Sequence, residues 1–289
     1  MKTDQEIAQR LVLFIAPILA APVIATAPAM AYSLAFSETA FQFENFSHSA
    51  YSVGTATNAD TLALVTKPAS SVAATAAAVA YFFPESAGGL SSSAAGGQGS
   101  AYFGVTHSLA QVVGSFLVGS GESFGFNFRA GFTLGSSVSS TQLGMANAAG
   151  RIAFWLFGSN DGGEASLLDS FSAFGQVAAG GNNFLGWQSS GNISYTGSAN
   201  MYGTGTESFA MASFQGSYQR NFDSQTQLTL VKVQENEAGV AVPEPVVPLP
   251  LSVFILFSLI GWKVRRKATS VGQLDLTPIQ KDFRMEGIK

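Results

Sequence analysis

Ser123-Phe124-Gly125-Phe126-Asn127-Phe128-Arg129-Ala130-Gly131-Phe132-Thr133 repeats with a period of two. Phe124, Phe126, Phe128, Ala130 and Phe132 fall on one side; Ser123, Gly125, Asn127, Arg129 and Thr133 fall on the other. Successive side chains of a strand point to opposite faces, so this stretch reads as a β-strand with one face in a core and one in water. That is the pattern of an antiparallel sheet.

Working outward, Ile152-Ala153-Phe154-Trp155-Leu156-Phe157 is apolar on both faces. It predicts a central strand covered twice, ending at the turn Gly158 to Gly163. Phe41-Gln42-Phe43-Glu44 and Leu62-Ala63-Leu64-Val65 read as further strands. Tyr218 to Phe222 and Gln227 to Val233, joined by Asp223-Ser224-Gln225, read as a hairpin that leads into a linker over residues 235–242. Ser70 to Ala80 is Ala-rich and forms a candidate helix between Pro68 and Pro84. Residues 86–100 (SAGGLSSSAAGGQGS) are low in complexity and read as a flexible loop.

Many short strands without a sustained helical period point to an all-β fold. The expected form is an antiparallel β-sandwich over residues 32–234, with the jelly roll as one such arrangement. An outer-membrane barrel is the alternative, but it needs repeated strands of about 10 residues flanked by aromatic girdles, and the strand signals here are uneven.

Composition narrows the function. Hydrophobic residues make up 47% of the 289 and charged residues only 11%, enough apolar material to bury a core and too little charge for a disordered chain. The chain has no cysteine, which removes disulfide frameworks, thiolate metal sites and a cysteine nucleophile.

The two ends carry addressing signals. Lys2 and Arg10 precede the apolar stretch Leu11 to Ala27, and Ala29-Met30-Ala31 is a small-x-small site, so residues 1–31 read as a signal peptide cleaved before Tyr32. Val246 to Trp262 is an uncharged apolar run of 17 residues. At about 1.5 Å per residue it is long enough for a short membrane helix. Lys263, Arg265, Arg266 and Lys267 follow it and hold the C-terminus in the cytoplasm, which places residues 32–241 outside.

The order Val242-Pro243-Glu244-Pro245, apolar span, basic cluster resembles the PEP-CTERM sorting domain. The resemblance covers about the last 50 residues. It implies that Pro243, Glu244 and Pro245 are the element recognised by exosortase, a membrane-embedded cysteine transpeptidase. Residues 243–267 would then be a transient anchor, Lys263, Arg265, Arg266 and Lys267 its basic stop, and residues 268–289 a short cytoplasmic tail. It also implies a setting at the cell surface or in the matrix, with exopolysaccharide as a partner.

Motifs for catalysis are missing. The two histidines, His48 and His107, stand far apart and outside any H-E-x-x-H or H-x-E setting, so both read as structural. The chain has neither G-x-x-x-x-G-K nor G-x-S-x-G. Its acids fall mostly in apparent turns, with no pair placed for glycoside hydrolysis. Asp161, Glu164 and Asp169, in an acidic Gly-rich turn, form a weak calcium candidate that departs from the EF-hand template. Trp187 is either a sugar-stacking platform on a loop or a plug at one end of the sandwich.

Residues 32–241 hold twelve acids and five bases, a net charge of −7 that repels nucleic acid. The expectation is an exported, non-catalytic envelope or matrix protein without a cofactor. A lectin-like module is the alternative, and a secreted hydrolase is a weaker one.

Overall fold

The computed structural model describes residues 31–140, 144–160 and 163–243. Residues 1–30 of the signal segment, Asp161, Glu244, Pro245, the apolar span, the basic cluster and the tail lie outside them. Among the described residues there are twelve strands and no helix. Accordingly, no helix there is long and apolar enough to cross a membrane.

The strands are β1 (Tyr32–Glu44), β2 (Ser52–Val65), β3 (Ser71–Phe83), β4 (Ser86–Gln98), β5 (Tyr102–Val118) and β6 (Ser123–Val138), then β7 (Met145–Asn160), β8 (Ser166–Ala178), β9 (Phe184–Ser189), β10 (Ile193–Gly203), β11 (Glu207–Asn221) and β12 (Thr226–Val242). Two six-stranded sheets hold them in the orders β10-β11-β6-β1-β4-β3 and β2-β5-β12-β7-β8-β9. Every pairing is antiparallel. This is a sandwich, wider than the eight-stranded jelly roll.

The quoted stretch lies in β6 as the period of two requires. Phe124, Phe126, Phe128, Ala130 and Phe132 are all buried between the sheets. From the opposite sheet, Phe154 of β7 enters this layer. Its ring centroid lies 5.4 Å from Phe43, 5.6 Å from Phe126, 5.3 Å from Phe128 and 5.8 Å from Phe171. Edge-on and offset contacts at these separations suit the charge distribution of aromatic rings.

The expectation for Ile152 to Phe157 holds for position, since β7 lies inside its sheet between β12 and β8, but the strand runs on through Gly158 and Ser159 to Asn160, where the sequence predicts a turn. The cover of its outer face is made of side chains. Ala153, Trp155 and Val231 are buried there against Val113, Phe157 and Val233, and the Arg151 guanidinium sits 5.6 Å from the Trp155 ring centroid.

Four local expectations fail for physical reasons. Residues 86–98 are not a loop but β4, paired along its length with β1 and β3. The inward residues Ala87, Ser91, Ser93 and Ala95 are small, so no hydrophobic alternation marks the strand. Ser70 to Ala80 forms no helix: from Ser71 onward it belongs to edge strand β3, whose small side chains let the sheets approach. Residues 235–242 are not a linker but the last half of β12, with Ala238, Val240 and Val242 buried. The stretches around Tyr218 and Val233 do not form a hairpin: β11 pairs with β6 and β10, β12 with β5 and β7, so residues 222–225 arch from one sheet to the other.

Side-chain volume varies across the sandwich. Cα atoms of β3 and β4 come within 8 Å of β5, below the roughly 10 Å usual between packed sheets. Gly104 and Gly114 on β5 permit this approach: a Cβ on Gly104 would lie 2.7 Å from Val72 Cγ2, and one on Gly114 2.6 Å from Phe82 Cε2. Toward β8 and β11, Phe128, Phe171 and Phe214 fill the gap.

Between these regions the core is polar. Asn236 Nδ2 donates to Thr39 Oγ1 at 3.0 Å and to Ser91 Oγ at 2.8 Å, and Ser37 Oγ donates to Asn236 Oδ1 at 2.6 Å. Ser108 Oγ lies 2.8 Å from Ser91 Oγ and 3.0 Å from Ser93 Oγ. Lys232 adjoins this network, fully buried, with its Nζ donating to Gln234 Oε1 and lying 5.8 Å from the Phe41 ring centroid.

Burial holds the Lys232 pKa well below its ordinary value. Between that depressed value and the unfolded-chain value near 10.4, the unfolded state binds a proton that the folded state lacks. Stability attributable to this side chain therefore rises with pH through that window. Lys232→Met is expected to stabilise the protein at pH 7, and its advantage should shrink as pH rises toward the unfolded-chain value near 10.4, by up to about tenfold in the folding constant per pH unit. Urea unfolding of both proteins at several pH values measures this; a constant difference would refute it.

Candidate functional site

Because all pairs are antiparallel and the registers of β2 with β5, β5 with β12 and β12 with β7 run without a shift, residues far apart in sequence line up in rows across this part of the sheet. On the outer face of the second sheet, His107 of β5 stands opposite Asp60 of β2 on one side and Glu237 of β12 on the other. Glu235, two residues earlier on the same face of β12, reaches the imidazole: Nε2 and Oε1 are 3.2 Å apart. Arg151 of β7 is the register partner of Glu235. His107, Glu235 and Glu237 each offer a ligand atom within 4.8 Å of the other two.

Burial opposes protonation of His107. The hydrogen bond to Glu235 and the charges of Glu235, Glu237 and Asp60 outweigh it, so the imidazole pKa lies above its ordinary value. Nδ1 is buried without a hydrogen-bond partner, which leaves Nε2 as the polar outlet of the ring, on the side of the carboxylates. Reading His107 as an isolated structural residue misses this row, because the cross-strand register that builds it has no local sequence signal. His48, the other histidine, pairs with Glu122 at 3.1 Å on the surface.

The acidic turn does not converge on a cation position among the described residues. Glu164 is exposed, and Asp161 lies outside those residues. Asp169 is buried on β8 with both oxygens engaged. Oδ1 accepts from Ser190 Oγ at 2.7 Å and from Asn192 Nδ2 at 3.1 Å; Oδ2 accepts from Asn192 Nδ2 at 3.1 Å, Tyr218 OH at 3.1 Å and Arg220 Nη1 at 3.2 Å. A cation there would have to displace these donors. The carboxylate is a staple between β8 in one sheet and β11 in the other, and burial together with the Asp169 charge pushes the Tyr218 hydroxyl pKa up.

Trp187 is on the short edge strand β9 and not on a loop. Its ring centroid lies 5.6 Å from that of buried Phe214 on the opposite sheet, so it partly closes the gap between the sheets while remaining 44% exposed. Of the sorting element, Pro243 is the described residue directly after β12.

Asp169→Ala is expected to cost about 3 kcal/mol, since it leaves the buried Tyr218 hydroxyl without its acceptor and Arg220 without its counter-charge. Asp169→Asn, which retains an acceptor oxygen, should cost less. Urea midpoints of the two variants check this order, and equal loss would refute the staple. The chain matches no family model, and no curated protein matches it significantly.

Proposed function

We propose that this chain is an exported, non-catalytic protein of the bacterial envelope or extracellular matrix, delivered by its signal peptide and sorted through the PEP-CTERM-like tail. In this reading exosortase acts at Pro243, Glu244 and Pro245, and the body associates with exopolysaccharide. The observation that carries the reading is that the strands begin and end beside the two proposed processing sites. β1 begins at Tyr32, the residue after the small-x-small site, and β12 ends at Val242, the residue before the Pro-Glu-Pro element.

Both boundaries lie at one pole of the sandwich. Val242 pairs with Tyr102, whose hydroxyl donates to Ser33 Oγ at 3.0 Å. Removal of both signals would leave every strand whole. A membrane tether would hold the body by that same pole.

A second reading, a lectin-like module, rests on the exposed face of Trp187. Aromatic faces pack well against apolar sugar surfaces.

Intact-mass analysis of protein from native cells and medium tests the first reading. The expected product begins at Tyr32 and ends near Pro245; material retaining Met1 and Lys289 would overturn it. A glycan array tests the second, with binding that is lost in Trp187→Ala as its expected result.

A further inference from the structure

We propose that His107, Glu235 and Glu237 form a binding site for a divalent transition cation of the zinc class, on the outer face of the second sheet beside Asp60. The donor set suits that class. An imidazole nitrogen with carboxylate oxygens is a ligand combination for zinc and its neighbours, whereas calcium and magnesium prefer oxygen alone.

The spacing suits it as well. Metal–ligand bonds of about 2.0–2.2 Å place tetrahedral donors roughly 3.4 Å apart. His107 Nε2 and Glu235 Oε1 stand 3.2 Å apart already. Glu237, exposed and directly opposite His107, completes the set by a side-chain rotation, since its ligand atom lies within 4.8 Å of the other two.

Electrostatics favour occupation. Asp60, Glu235 and Glu237 surround one imidazole, and Arg151 is the register partner of Glu235. Like charges on adjacent strand positions repel, and a dication there relieves that repulsion. The strands hold the donors in place: β5 and β12 pair continuously from Tyr102–Val242 to Val118–Thr226. Only Glu237 has to move.

The surroundings also set the strength. With Nε2 on the metal the proton sits on Nδ1, which is buried without a hydrogen-bond partner. Ligating histidines ordinarily donate that second N–H, and loss of such a partner weakens binding about 10- to 100-fold. The site should therefore be an exchangeable one and not a permanent structural one. Three protein ligands leave a coordination position open for water or an oxygen donor from outside.

The test is titration of the full chain in detergent, stripped with a chelator, with zinc chloride and in parallel with cobalt chloride and calcium chloride. Expected are one zinc per chain, a cobalt d–d absorption band that zinc removes, and no competition from calcium at equal concentration. Glu237→Gln and His107→Ala should each weaken zinc binding by at least about tenfold. His48→Ala and Glu164→Gln should leave it unchanged. Glu237 is exposed, so its variant separates ligand loss from misfolding, and circular dichroism checks the fold of each protein. Absence of saturable zinc binding would overturn the proposal. So would binding that survives both ligand variants, that is lost with His48, or that calcium matches. None of these results bears on export or sorting, which intact mass reads separately.

Discussion

The gap between two packed sheets has to be filled, and any polar group that enters it has to find a partner there. This chain meets both demands with different residues in different places. Around Phe154 the gap is filled by aromatic rings from both sheets. Around Asn236 it is narrow and closed by hydroxyls and amides that bond to each other across it. An unpaired buried polar group costs about 1–3 kcal/mol, so the second region tolerates substitution less readily than its small side chains suggest. The aromatic region gives stability through area, the polar region gives register through geometry, and both sit on the same strands.

This division also explains what was legible in the sequence. β6 is visible because large apolar side chains alternate with polar ones, the signal of a half-buried strand, and β7 because Ile152 to Phe157 is a short run apolar on both faces. β4 is hidden because its inward residues are Ala, Gly and Ser, which carry no such contrast, although Ser91 and Ser93 are buried like the core phenylalanines. The last part of β12 was hidden for a related reason, since inward Gln234 and Asn236 resemble a polar linker until their cross-sheet partners are known. The arch after β11 read as a hairpin because Asp-Ser-Gln signals a change of direction and not which sheet the chain joins next.

The outer-face cluster lay beyond sequence reading altogether. Glu235 and Glu237 stand two residues apart on one face of β12, but His107 and Asp60 reach them only through the β5 registers with β12 and β2. Asp169 shows the converse. Its neighbours in sequence suggested an exposed acidic turn, while its partners Ser190, Asn192, Tyr218 and Arg220 come from later in the chain. Topology decided the role of each acid: one group lines an open face, the other closes a core.

The path of β12 has a mechanical consequence. The strand lies between β5 and β7 and is in register with both along almost its entire length, up to the residue before Pro243. A force applied to the chain beyond that point acts along the strand axis, so the hydrogen bonds on both flanks are loaded together in shear instead of being peeled apart one at a time. The interdigitated aromatic and amide contacts on its inner face resist the same sliding. A body held by this strand against flow or against a polymer network would transmit tension without losing an edge.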